Sequence, residues 1–166
     1  WRWAGVPFYL RTGKRLPTKC SEVVVYFKNP EMNLFKDSYS ELPQNKLTIR
    51  LQPDEGVDIE ILNKVPGLDH KHKLQTTKLD LSYSETFNQS HLADAYERLL
   101  LESMRGIQAL FVRRDEVEAA WTYVDSIIDA WAADGDSSKP YQAGTWGPVA
   151  SVAMITRDGR SWNEFE

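Results

Sequence analysis

Cysteine is nearly missing from this chain: Cys20 stands alone among 166 residues, so no internal disulfide can form. Missing too is any run near the roughly 20 apolar residues that a bilayer-spanning helix needs, and no charged leader followed by an apolar segment opens the chain. A reducing cytoplasm is therefore the expected location, with no membrane partner. Nor is there an excess of basic residues. Twenty Lys and Arg face 24 Asp and Glu, a net charge of −4, which argues against the broad positive field that tracks nucleic-acid phosphates. Any anion site must be local. The nine glycines include no G-x-G-x-x-G, so the fingerprint of a dinucleotide-binding βαβ unit is lacking. The chain opens Trp1-Arg2-Trp3 without a methionine, and the expectation is that a further segment precedes it in the natural protein.

What is present fits one globular domain over residues 1–166, with 42% hydrophobic and 27% charged residues. Four stretches alternate with the period of half-buried strands: Val6, Phe8 and Leu10; Leu47, Ile49 and Leu51; Val57, Ile59 and Ile61; Leu79, Leu81 and Tyr83. The run Val23-Val24-Val25-Tyr26-Phe27 is apolar on both faces, as suits a central strand covered on both sides or a strand at a subunit contact. Pro53 with Gly56, and Pro66 with Gly67, mark turns between strands. The period then changes. Leu92, Ala95, Tyr96, Leu99 and Leu100 recur at three and four, as do Val117, Ala120, Trp121, Val124, Ile128 and Trp131. Two packed helices are predicted, the second opening at Asp115 with Glu118 as a capping box and stopping at Asp134-Gly135. Strands first and helices afterwards indicate an α+β fold, mainly an antiparallel β-sheet with packed α-helices.

The densest cluster of chemistry is Arg11-Thr12-Gly13-Lys14-Arg15-Leu16-Pro17-Thr18-Lys19, four cations in nine residues of an acidic chain. Gly13 is placed to let the backbone turn, and lysines act as point charges suited to a sugar phosphate. A P-loop is excluded, because no glycine precedes Gly13 by five positions and Arg15 follows Lys14. On composition alone an anion site and a solvated loop both remain open. Asp69-His70-Lys71-His72 has histidines spaced for one face of a strand. No Cys, Glu or His partner lies at ligand spacing, and Lys71 and Lys73 would repel a cation, so no metal is expected. His91, at the start of a predicted helix, reads as a surface or capping residue.

The segment from Gly5 to Lys14 resembles the strand and turn that carry substrate-binding lysines in the glucose-6-phosphate dehydrogenase family. Ile49-Arg50-Leu51-Gln52-Pro53-Asp54-Glu55, Asp94-Ala95-Tyr96-Glu97-Arg98-Leu99-Leu100, Phe111-Val112-Arg113-Arg114-Asp115-Glu116, Tyr141-Gln142-Ala143-Gly144 and Gly147-Pro148 follow in the family's order and extend the resemblance over almost the whole chain. It implies the C-terminal substrate-binding and dimerisation domain of a bacterial-type enzyme that oxidises glucose 6-phosphate to 6-phosphogluconolactone, in the pentose phosphate pathway. NADP would be the hydride acceptor, bound by an N-terminal domain that this sequence lacks. By the same resemblance Lys14 and Lys19 are substrate contacts, with Gln52 as a third candidate; Gln52 reads equally as a strand-end cap before Pro53. The family's catalytic histidine, set in an Asp-His-Tyr stretch, has no counterpart among His70, His72 and His91, so no catalytic residue is assigned and the chain alone is expected to be inactive. A homodimer formed through the sheet is implied. The alternative is a non-catalytic sugar-phosphate-binding or oligomerisation module on the same scaffold.

Mammalian members of the family hold a second, structural NADP in this domain through basic and aromatic residues. Here Cys20 and Val24 stand where basic residues would be, Asp58 and Glu60 replace a tyrosine and a lysine, and Trp146 replaces an arginine, while Arg50 remains. Two carboxylates at i and i+2 share one strand face and repel a phosphate. No structural NADP is expected.

Overall fold

The computed structural model describes residues 2–68, 73–87, 93–135 and 138–163. The Asp69–His72 motif, His91 and Leu92 therefore lie outside the described residues. The chain forms two compact units, Trp1–Ser90 with Ala143–Glu166, and His91–Gln142.

The first unit is built on four antiparallel strands in chain order: β1 (Ser21–Tyr26), β2 (Lys46–Gln52), β3 (Gly56–Lys64) and β4 (Leu74–Ser82). The register sets Val23 opposite Ile49 and Val25 opposite Leu47, then Leu47 opposite Ile59 and Ile49 opposite Val57, then Val57 opposite Leu81 and Ile59 opposite Leu79. One face is thus almost wholly apolar. The other carries Glu22, Lys46, Arg50, Asp58, Glu60, Lys78 and Asp80. Three of the predicted alternating stretches are strands, the third ending at Ser82, where the short α1 (Tyr83–Thr86) begins.

Two expectations need correction. Residues 6–10 alternate but pair with no described strand; Pro7 has no N–H to give a ladder, and Phe8 and Leu10 are exposed. The valine run of β1 lies at one edge of the described sheet, which removes the covered central placement and leaves the subunit-contact alternative open, and Val23 and Val25 on its apolar face are exposed. More broadly, it is the polar face whose centre is buried, at Thr48 and Asp58, while Leu79 and Leu81 across the sheet remain exposed. α4 (Val149–Arg157), which no period announced, follows Pro148 and supplies the deeply buried apolar side chain Ile155.

The second unit carries α2 (Ala95–Arg105) and α3 (Arg114–Asp134). α2 opens as a capping box, with the Asp94 N–H donating to Glu97. α3 opens two residues earlier than predicted: the Arg113 N–H donates to Glu116 Oε2 at 2.9 Å, and Asp115 sits inside the first turn, where an acidic side chain suits the helix dipole. Both helices end on a glycine in the left-handed region, Gly106 and Gly135 (φ 70° and 69°), as the Asp134-Gly135 stop predicts. Neither helix buries a residue, and Leu100, Trp121 and Trp131 stay exposed. The apolar stripes read from the sequence are present on both helices, left open among the described residues. No helix among the described residues is long and apolar enough to cross a membrane.

Candidate functional site

The basic turn runs from Arg11 to the start of β1, without a ladder of its own. Lys14 and Lys19 are exposed, and Leu16 and Cys20 are half-buried. Lys19 lies two residues before Ser21, which pairs with Gln52 at the far end of β2. Lys19 and Gln52 therefore sit at the same end of the sheet. Gln52 is exposed and precedes a cis peptide bond to Pro53, and its side chain caps no backbone group among the described residues. The left-handed residue of the turn is Arg15 (φ 57°), not Gly13. A non-glycine residue holds that conformation only where its surroundings fix it. Here the Gly144 N–H donates to the Arg15 carbonyl at 2.8 Å, with Gly144 itself at φ 81°.

Arg11 departs from the cationic cluster to which its sequence position assigns it. Its guanidinium carbon lies 4.7 Å from the ring centroids of both Trp146 and Trp162, and Nη2 donates to the Asn163 carbonyl at 3.2 Å. Nη1 is buried without a hydrogen-bond partner among the described residues. Next to it, Tyr9 meets Trp162 edge-on, with centroids 6.3 Å apart, and donates to Asp158 Oδ2 at 2.5 Å. That hydrogen bond, with burial second, holds the Tyr9 phenol above its ordinary value, against the opposing charge of Arg160. Burial likewise pushes the Cys20 thiol up. Residues 144–163 thus form a strap fastened to the basic turn at Tyr9, Arg11 and Arg15. Sequence reading missed this role of Arg11, Trp162 and Asn163. The available signal was a pair of tryptophans downstream of an arginine with no acidic neighbour in sequence.

The strap also meets the polar face of the sheet. Asn163 donates to Glu22 at 2.7 Å and accepts from Lys46 Nζ at 3.4 Å. Burial pushes the Lys46 ammonium down, but the hydrogen bond and charge of Glu60, 2.8 Å away, prevail and hold it above its usual value. Arg50 pairs with Asp58, pairs with Asp80 at 3.1 Å and donates to the Asp54 carbonyl at 3.1 Å. Lys78 reaches Asp58 at 3.2 Å and Asp80 at 3.5 Å. Hydrogen bonds to Asp58 and Asp80 raise the Arg50 guanidinium, and the Arg50 hydrogen bond lowers the Asp80 carboxyl. Gly56 makes room for this: a Cβ there would overlap the Arg50 guanidinium and the Leu81 carbonyl oxygen. Sequence reading places Asp58 and Glu60 on one face correctly, but not their counter-charges.

Fold and site together define an antiparallel α+β domain that presents a strapped basic turn. Residues 1–163 match the family model for the glucose-6-phosphate dehydrogenase C-terminal domain, and the chain belongs to that family. It is 86% identical over 166 residues to the glucose-6-phosphate 1-dehydrogenase of Dickeya dadantii (strain 3937), covering 100% of this chain and 34% of that protein. The corresponding protein of Buchnera aphidicola subsp. Baizongia pistaciae is 54% identical over 163 residues, at 98% and 33% coverage. Among solved structures, a glucose-6-phosphate dehydrogenase in complex with its substrate glucose-6-phosphate superposes with a TM-score of 0.75 at 31% identity, over 92% of this chain and 30% of that one. The glucose-6-phosphate 1-dehydrogenase from Mycobacterium avium gives 0.76 at 30% identity, over 99% and 32%. The chain spans about a third of the length of the curated relatives it matches.

Proposed function

We propose that residues 1–166 serve as the substrate-binding and dimerisation domain of a cytoplasmic enzyme that oxidises glucose 6-phosphate to 6-phosphogluconolactone with NADP as hydride acceptor. The observation that carries this is the basic turn: Lys14 and Lys19 are exposed on a segment fastened to the 144–163 strap, in a chain of the family whose members are named for that substrate. The lysines hold a dianionic phosphate by charge-assisted hydrogen bonds, and Gln52, at the same end of the sheet, meets a sugar hydroxyl. They orient the sugar carbon toward the coenzyme and perform no chemistry themselves. The base and the hydride-accepting nucleotide come from outside these residues, so the isolated chain is inactive.

Two further readings accompany it. The exposed apolar sheet face, with Val23, Val25, Leu79 and Leu81, supports a homodimer formed through the sheet. The polar face supports the absence of a structural NADP, because its cations Arg50, Lys78 and Lys46 are already engaged by Asp58, Asp80 and Glu60. The nucleotide's phosphates would meet carboxylates whose charge is spent on internal pairs.

The test is Lys14→Ala and Lys19→Ala in the full-length enzyme. Each removes a charge-assisted contact of roughly 1.5–3 kcal/mol, so KM for glucose 6-phosphate is expected to rise by about tenfold or more, with the KM for NADP unchanged. An unchanged sugar-phosphate KM in both variants returns the cluster to a solvated loop.

A further inference from the structure

A turn that must present two lysines to a dianion needs a fixed backbone, yet residues 6–20 pair with no described strand. The Lys14 and Lys19 turn begins at Arg11 and ends where β1 begins at Ser21. Two fastenings to the strap hold this stretch. One is the Gly144 N–H on the Arg15 carbonyl, directly after Lys14. The other is the Arg11 guanidinium, whose carbon lies over both indole rings, 4.7 Å from each centroid, and whose Nη2 is tied to the Asn163 carbonyl. Lys14 lies three residue steps beyond Arg11, a reach of at most about 11 Å of chain, so fixing the one confines the other.

The chemistry of the clamp adds a second argument. A buried guanidinium normally finds a carboxylate, because desolvating a charge without compensation is costly. Among the described residues Arg11 has no acidic ion-pair partner, and its Nη1 is buried with no hydrogen bond. Its charge is met instead by the negative faces of Trp146 and Trp162, which stabilise a cation without cancelling its charge. A carboxylate partner there would oppose the field of the neighbouring lysines. The indoles anchor the turn and leave that field positive.

We propose that Arg11 is a positioning residue for the sugar phosphate. Held by Trp146 and Trp162, it fixes the turn that aims Lys14 and Lys19 and keeps the site's net charge positive. This rests on the reading that those lysines hold the substrate, and the experiment separates the two. Arg11→Met and Trp162→Leu are made in the full-length enzyme, each alone and each combined with Lys14→Ala/Lys19→Ala. Trp162→Leu leaves the cation and removes one side of its clamp, so it reads the same quantity should Arg11→Met fold poorly. Each single variant is expected to raise KM for glucose 6-phosphate roughly tenfold, since small misplacement of positioning groups carries penalties of that order and above. The KM for NADP should stay within about twofold of wild type, because the coenzyme is not held by this turn. In the lysine-free background the same substitutions should add little, because their effect passes through the lysines. An equal rise in both backgrounds overturns the proposal, as does a fall in melting temperature with KM unchanged, the mark of a merely structural clamp. If removing the lysines leaves KM unaltered, the lysine reading falls and takes this one with it. If the lysine variants raise KM and the Arg11 and Trp162 variants do not, this one falls alone.

Discussion

The two faces of the sheet solve the same problem in opposite ways. On the polar face Arg50, Lys78 and Lys46 are matched by Asp58, Asp80 and Glu60, Asn163 bridges Glu22 and Lys46, and Thr48 and Asp58 are buried. The apolar face, built of Val23, Val25, Leu79 and Leu81 beside half-buried Leu47, Ile49, Val57 and Ile59, has its outer strands exposed. An amphipathic sheet ordinarily turns its apolar face to the core and its polar face to water. Here the polar face is closed by its own ion pairs, and the apolar face is left to a covering surface that the described residues do not supply. A contiguous apolar patch of this kind marks an interaction site.

The largest expected effect lies on the open face. Leu79→Asp places a carboxylate where the proposed dimer buries apolar surface, and the cost of about 3 kcal/mol or more should weaken dimerisation of the full-length protein by over a hundredfold. Sedimentation velocity across a concentration series measures it. An unchanged dimer, with loss of folding stability instead, would mean that another part of the same polypeptide covers this face.

On the closed face the expected effects are smaller and fall on folding. Gly56→Ala forces its methyl group against the Leu81 carbonyl and the Arg50 guanidinium; backbone cannot yield as a side chain can, so overpacking should cost about 1–3 kcal/mol in denaturant unfolding. A neutral result would show that the Arg50 network is loose enough to move aside. Smallest is the acid limb. Arg50 depresses the Asp80 carboxyl in the folded state, so its stabilisation is present above the unfolded carboxylate value near 3.9 and is lost as pH falls through the lower folded one. The melting temperature of Asp80→Asn should therefore lie below wild type at neutral pH, and the gap should close as the pH drops below about 4. A gap that stays constant across that range would assign the difference to packing and not to charge.

The sequence by itself determined those features that depend on neighbours a few residues apart. Alternation in Leu47-Ile49-Leu51 and Val57-Ile59-Ile61 placed two strands and put Asp58 with Glu60 on one face of the second, because side chains alternate with a period of two. Asp134-Gly135 ended α3, because glycine adopts the left-handed cap at no steric cost. The ordered blocks from Gly5 to Pro148 were enough for the family. Tertiary structure alone decided which face of the sheet is covered, that the Val6–Leu10 alternation forms no described strand, that Arg15 is the turn's left-handed residue, and that Arg11 is held by indoles and not exposed with the lysines. The contact between Arg11 and Asn163 spans 152 residues of sequence. A local period carries no information about such a partner, since the loop-closure entropy that opposes the contact is offset only when the whole unit folds together.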